Sequence, residues 1–158
     1  MNREQFATII AEQRDRDFFS GQGGTRINLC QADLRGLDLH GYNLENFDLE
    51  HANLQDVDLH WANLRNTNLN MAQLWGVNLS GAIGILSIGP IGSHKSILYI
   101  VQHSTARMYK TERLWCDEAA FLAAVLEDHG DNEIALAYRA AVELARLLLP
   151  VEGEADAR

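Results

Sequence analysis

The sequence predicts a mainly β fold, a repeat solenoid flanked by an N-terminal helix and a C-terminal α/β segment, and three observations carry that prediction. Leucines stand five residues apart without a break at Leu29, Leu34, Leu39, Leu44, Leu49, Leu54, Leu59, Leu64, Leu69, Leu74 and Leu79. All but one of them follow Asp or Asn, the exception following Gln73. Beyond Ala82 the pattern stops, and short strand-like runs followed by helical stripes replace it. A period of five matches neither the 3.6 of an α-helix nor the 2.0 of a strand, so the repeat itself must set the architecture of its segment.

Read from two residues before each leucine, the units are INLCQ, ADLRG, LDLHG, YNLEN, FDLEH, ANLQD, VDLHW, ANLRN, TNLNM, AQLWG and VNLSG. This A(D/N)Lxx pattern resembles the pentapeptide-repeat family. The resemblance implies a right-handed quadrilateral β-helix with four units per coil, the leucine and the residue two before it pointing inward. Eleven units then make about 2.75 coils. A coil of four units stacks residues 20 apart, and the residue before the Asp/Asn position tests this. Ala32/Ala52/Ala72 stays small, Leu37/Val57/Val77 stays branched and apolar, Ile27/Phe47/Thr67 is mixed, and Tyr42/Ala62/Ala82 runs from large to small. A single coil cannot bury its apolar side alone, whereas stacked coils share one leucine core and pair their backbones about 4.8 Å apart. Asp and Asn are poor strand formers whose short side chains bond nearby backbone groups, so their default role here is structural.

The elements follow in chain order. Residues 1–26 are expected to form a capping helix and linker, the helix over 2–19 with Phe6, Ile9, Ile10, Phe18 and Phe19 on an imperfect apolar face covering the first coil. The linker SGQGG at 20–24 lacks the GK(S/T) of a phosphate loop and reads as a hinge or turn. The β-helix occupies 27–84. Residues 85–149 form an α/β module that caps it, with strands over 85–93, 96–101 and, more weakly, 105–110. Asp117 caps a first helix carrying Phe121, Ala124 and Val125 on one side. A second helix starts near Asp131, ends at Pro150, and bears a stripe of Ile134, Tyr138, Ala141, Val142, Ala145 and Leu148. In the turn between them Gly130 is read as the left-handed stop and Asp131 as the next cap. Residues 150–158 read as a disordered tail. Through Gly89, Pro90, Gly92, Trp115, Cys116, His129, Gly130, Asp131 and Asn132, this module resembles a small α/β unit found in phage and bacterial proteins.

Composition bounds the function. The net charge is −9. Between Arg35 and Arg65 there is no Lys or Arg, while Asp38, Glu45, Asp48, Glu50, Asp56 and Asp58 crowd the same span, mostly at outward positions. Direct nucleic-acid binding needs basic groups to displace counterions, so a basic-surfaced or nucleic-acid-binding protein is the expected partner. No apolar run is long enough to span a membrane, the start MNREQFATII lacks the order of a signal peptide, and Cys30 and Cys116 have no metal-ligand spacing. A soluble cytoplasmic protein without membrane association or cofactors is the expectation.

The candidate partner contacts are those six carboxylates with Trp61 and Trp75, two tryptophans at outward positions of the repeat. The C-terminal module folding back over Trp75 is the competing reading for that residue. Stacking by 20 also sets Asp38 over Asp58, His40 over His60, and Glu45 beneath Arg65 as a rung-to-rung ion pair. The Asp/His set has metal-binding chemistry, but duplicated coils leave the same pattern, so no metal site is assigned. No nucleophile elbow, HExxH or Ser/His/Asp order occurs, and a filled rod offers no deep pocket. Cys116 and His129 are the weak catalytic candidates. The expected function is therefore a non-enzymatic protein-interaction module whose acidic face binds a macromolecule, with inhibition of a host protein by a phage-type factor as one form. A DNA mimic acting on a topoisomerase is a second reading, implied by the family. At about 13 Å of rod against about 34 Å per duplex turn it requires a homodimer. A ligand-binding or enzymatic C-terminal module on a repeat scaffold is the third.

Overall fold

Backbone pairing at a spacing of twenty residues organises the first part of the chain. Parallel bridges run Asn28–Asp48–Asn68, Asp33–Asn53–Gln73, Asp38–Asp58–Asn78 and Asn43–Asn63–Ile83, four columns of three rungs. The computed structural model describes residues 4–11, 26–91 and 96–152. The chain divides into two compact units between Ile83 and Gly84, and each is described by itself. No helix among the described residues is long and apolar enough to cross a membrane.

In the repeat unit the leucine N–H donates to the neighbouring coil, as from Leu29 to Asp48 O at 2.8 Å, and Asp48 N–H returns a bond of 2.8 Å to Ile27 O. The leucines from Leu29 to Leu74 are all buried, as are Leu37, Phe47, Ala52, Val57, Ala62, Thr67 and Ala72 at the other inward position. The mixed columns have local explanations. Thr67 is tolerated inside because its hydroxyl donates to Leu44 O at 3.0 Å. Tyr42 is large because it meets the helical segment at residues 4–11, where buried Phe6 packs edge-on against it at 5.7 Å and 64°. The helix expected over 2–19 is described only at 4–11; Phe18, Phe19 and the 20–24 linker lie outside the described residues.

The coil count differs from the 2.75 expected. Ile83 pairs with Asn63, its N–H donating to Ala62 O at 2.9 Å and its carbonyl accepting from Leu64 N–H at 2.8 Å. A twelfth side therefore completes a third coil, with Gly84 where a leucine would stand. The missing leucine concealed this side from the five-residue count.

The second unit is an antiparallel four-stranded sheet, β1 (Ile85–Ile91), β2 (Ser96–Gln102), β3 (Arg107–Lys110) and β4 (Trp115–Cys116), ordered 1-2-3-4, followed by α1 (Glu118–His129) and α2 (Glu133–Leu148). Register runs Leu86 with Ile100, Ile100 with Tyr109, and Tyr109 with Cys116, so one face carries Leu98, Ile100 and Tyr109. That face packs on Phe121, Val125, Ala135, Val142 and Ala145 of the helices. Tyr109 stacks on Phe121 at 4.9 Å, and Phe121 meets Tyr138 edge-on at 5.6 Å. Asp117 caps α1 as expected, its Oδ1 accepting from Ala120 N–H at 2.9 Å. Four local details differ from expectation. β4 is a strand two residues long, too short to show a period, and β3 begins at Arg107 rather than 105. The cap of α2 is Asn132, whose Oδ1 accepts from Ile134 and Ala135 N–H at 2.9 and 3.0 Å, while Asp131 instead pairs with Arg139 at 2.8 Å. Gly130 takes φ 56°, ψ −124°, a conformation open to glycine but not the left-handed helical one.

Candidate functional site

Each unit of five contributes one inward-packed side and one turn, and four sides close a coil. Numbering from Ile27, side 1 holds residues 27–31, 47–51 and 67–71; side 2 holds 32–36, 52–56 and 72–76; side 3 holds 37–41, 57–61 and 77–81; side 4 holds 42–46, 62–66 and 82–84. Alternate sides of a four-sided coil face away from each other. The acidic span continuous in sequence is therefore split in space: Asp38 and Asp58 lie on side 3 with Asp56 at the turn leading into it, whereas Asp48 and Glu50 lie on side 1 with Glu45 at its leading turn. One acidic face was expected; two opposed strips are found, because residues ten apart sit half a coil apart.

On both strips a carboxylate is engaged by the backbone amide two residues on and by an asparagine of the next coil. On side 1, Asp48 Oδ1 accepts from Glu50 N–H at 3.1 Å and from Asn68 Nδ2 at 2.9 Å, and Glu50 Oε1 accepts from Asn70 Nδ2 at 2.9 Å. Glu45, expected beneath Arg65, accepts from Asn63 Nδ2 at 3.1 Å. These asparagines tie the acids to the next coil. On side 3, Asp58 Oδ1 accepts from His60 N–H at 2.9 Å and Asn78 Nδ2 at 3.0 Å, and Asp38 Oδ1 from His40 N–H at 3.1 Å with His40 Nδ1 at 2.6 Å. The aspartates thus bond the backbone amide two residues on, which suits them to corners and offsets the repulsion of stacked like charges. At Asp33 the hydrogen bonds from Arg35 hold the carboxyl down at about 2. Among the described residues no group of three or more His, Cys, Asp or Glu side chains could hold a metal ion.

The turns carry a feature the leucine count does not expose. The second residue after each leucine has positive φ throughout, from Gln31 (62°) through Asn46 (63°), Asp56 (56°) and Trp61 (57°) to Gly81 (66°). Seven of these eleven positions are Gly, Asn or Asp, which is the sequence signal for such a turn. Trp61 is bulky for it. Its column holds Gly41 below and Gly81 above, and the indole lies across Gly81 so closely that a Cβ there would fall 2.1 Å from Trp61 Cδ1. His60 stacks on the indole at 4.4 Å and 27°, its own Nδ1 buried without a hydrogen-bond partner. Trp61 is nevertheless 67% exposed, and Trp75, at the turn from side 2 to side 3, is 74% exposed. Trp75 O accepts from Asp56 N–H at 3.0 Å, which sets that carboxylate at the same corner. The two tryptophans thus bracket side 3.

The second unit offers less chemistry. Cys116 precedes α1 and His129 ends it, so a twelve-residue helix, about 18 Å long, separates them and they form no dyad. Burial, with Asp117 nearby, pushes the Cys116 thiol up, away from the reactive thiolate. His129 stacks on Tyr138 at 5.9 Å. A groove of about 410 Å³ between α1 and α2 is lined by Leu122, Ala123, Leu126, Arg139, Val142 and Glu143, which include no nucleophile.

The model of the family described as pentapeptide repeats matches this chain in eight copies, over residues 25–50, 32–70 and 43–81. Among solved structures, the chain is similar to Rfr23, a pentapeptide repeat protein from the cyanobacterium Cyanothece 51142, with 37% identity over 35% of this chain and 42% of that one, at a TM-score of 0.24. It is also similar to HetL of Nostoc sp. strain PCC 7120, a pentapeptide repeat protein involved in heterocyst differentiation regulation, with 36% identity over 35% of this chain and 31% of that one, at a TM-score of 0.19. The chain thus spans less than half the length of either. No curated protein matches it.

Proposed function

Since residues 25–81 are pentapeptide repeats, a β-helix solenoid of a kind that typically serves as a protein-interaction scaffold, we propose that this chain is a non-enzymatic interaction module that docks a macromolecular partner on side 3. One observation carries this reading: Trp61 holds a positive φ that costs a bulky residue about 1–3 kcal/mol, yet leaves its indole mostly in water. A structural role would bury the ring, and a turn role would be met better by the glycine found above and below it. An exposed, geometrically fixed tryptophan is the usual anchor of a protein interface. The acids on side 3 favour a basic-surfaced protein and disfavour nucleic acid. Side 1, which carries no tryptophan beside its acids, is assigned a structural role.

The test is capture from a lysate of the source organism with the wild type, Trp61→Ala, Asp56→Lys and, on the opposite side, Glu50→Lys. The expected result is a partner retained by the wild type and Glu50→Lys but lost with Trp61→Ala and Asp56→Lys. Equal recovery by all four sinks the side 3 proposal.

Self-association is a second reading, and a different observation favours it. Leu136, Ala140, Leu144 and Leu147 form a stripe along α2 opposite the buried Ala135, Val142 and Ala145, and all four are exposed. A helix apolar on both faces buries both. Leu144→Glu combined with Leu147→Glu is expected to convert a dimer to a monomer in sedimentation equilibrium; a wild type that is already monomeric at high concentration removes this reading. A role as DNA mimic, which a single short rod does not fit, depends on it.

A further inference from the structure

We infer that side 3 binds an extended protein segment through two cationic side chains, Arg or Lys, about four residues apart, one against each indole. The inference rests on side 3 being the docking surface and names what it recognises. Trp75 stands at one turn of side 3, where Asp56 N–H bonds its carbonyl at 3.0 Å; Trp61 stands at the other, three residues from Asp58 in the same unit. The Trp75 corner therefore sets an exposed indole beside a carboxylate, and at Trp61, where His60 covers one face of the ring, the mostly exposed indole shares its unit with Asp58. This is the combination that holds a guanidinium or ammonium, the ring quadrupole attracting the cation while the acid completes its hydrogen bonds. An apolar partner would not favour acids beside both rings, and an anionic one would be repelled by Asp38, Asp56 and Asp58.

Spacing bounds the register of the ligand. The columns of Trp75 (35, 55, 75) and Trp61 (41, 61, 81) lie six residues apart along a coil, with the two indoles on adjacent coils. This is no more than about 20 Å at the rise of an extended chain and less where the chain bends at both turns, and residues i and i+4 of an extended peptide, about 13 Å apart, fall within that reach. Between the corners the outward column is Asp38, Asp58 and Asn78. Arg35, in the same column as Trp75, is held by Asp33 through bonds of 2.8 and 2.7 Å. The glycines at 41 and 81 leave Trp61 as the one large side chain of its column; the indole lies against Gly81, and the space at Gly41 is open on the other side.

The probe is an acetylated, amidated peptide Arg-Ser-Gly-Ser-Arg titrated into the full chain and followed by tryptophan fluorescence and calorimetry, beside its Gln-Ser-Gly-Ser-Gln counterpart. Binding of the arginine peptide only is expected. Trp61→Ala and Trp75→Ala should each weaken it about fivefold or more, and Asp56→Asn severalfold, with circular dichroism showing the fold retained. The adjacent-cation peptide Ser-Arg-Arg-Ser-Gly, which reaches one corner at a time, should bind no better than the full probe binds either single tryptophan variant. No binding of the arginine peptide, equal binding of the glutamine peptide, or indifference to both tryptophan variants overturns the inference. If that happens while Trp61→Ala still loses the partner captured from lysate, the docking surface stands and its cation preference is wrong; if capture is also indifferent to Trp61, both fall.

Discussion

Replacing Leu54 with alanine is expected to destabilise the repeat unit by about 3–4 kcal/mol, whereas Leu79→Ala costs no more than about half as much. Leu54 is fully buried in the middle of the Leu34/Leu54/Leu74 column, so a cavity there loses contacts to the coils on both sides. Its N–H is bonded to Gln73 O at 2.9 Å, which holds the backbone in place and limits collapse into the void. Leu79, in the last coil, is only half-buried and gives up less apolar area. Nearest-neighbour coupling in a solenoid predicts this gradient from centre to end. Urea unfolding of the two variants, followed by tryptophan fluorescence with two of the three tryptophans in the repeat unit, measures it. Equal losses at the two positions would show that the leucines act as independent side chains and not as a shared core.

Much of the repeat was legible because its inward positions admit so few residues. Leucine at every fifth position and the constant size of the Ala32/Ala52/Ala72 column were enough to give the coil length now seen in the Asp33–Asn53–Gln73 bridges. Where the constraint weakens, the sequence says less. Ile83 and Gly84 carry no leucine, so the twelfth side is visible only in its backbone pairing. The acidic run from Asp38 to Asp58 reads as one feature along the chain but turns through half a coil every ten residues, which a linear reading does not register. Asp131 and Asn132 are both good caps and adjacent, and only backbone geometry decides that Asn132 accepts the two amides. The site was half legible: an outward tryptophan could be singled out, but its positive φ, its glycine neighbours above and below, and its bracketing of side 3 with Trp75 needed the register.

Glu118→Ala is expected to cost the second unit about 3–5 kcal/mol, the usual loss when a buried cation is left without its acid. Glu118 is 23% exposed and sits in the first turn of α1, where a carboxylate also suits the helix dipole. Its Oε2 accepts from the Tyr109 hydroxyl at 2.8 Å and faces Arg107 Nη1 at 3.5 Å, while its Oε1 accepts from Arg146 Nε at 2.9 Å and from Arg146 Nη2. Arg107 is only 3% exposed, and its Nε donates to Leu149 O at 2.9 Å. One carboxylate therefore joins β3, α1 and the end of α2, and alanine would leave two guanidinium groups and a phenol around an apolar methyl. Tyr109 supplies an independent readout. Burial first, then the hydrogen bond to Glu118, raises the phenol above its ordinary value, so its contribution to stability is complete below the unfolded-state value near pH 10 and is lost as pH rises towards the folded-state value. Removing Glu118 takes away the second cause, so phenolate absorbance should develop at lower pH in the variant. Glu118→Gln keeps an acceptor for the hydroxyl and should recover part of the stability but not the pairing with Arg107. A loss below about 1 kcal/mol for Glu118→Ala, with the phenol titration unmoved, would mean that packing of Phe121 and Val125 on the sheet holds α1 without the carboxylate.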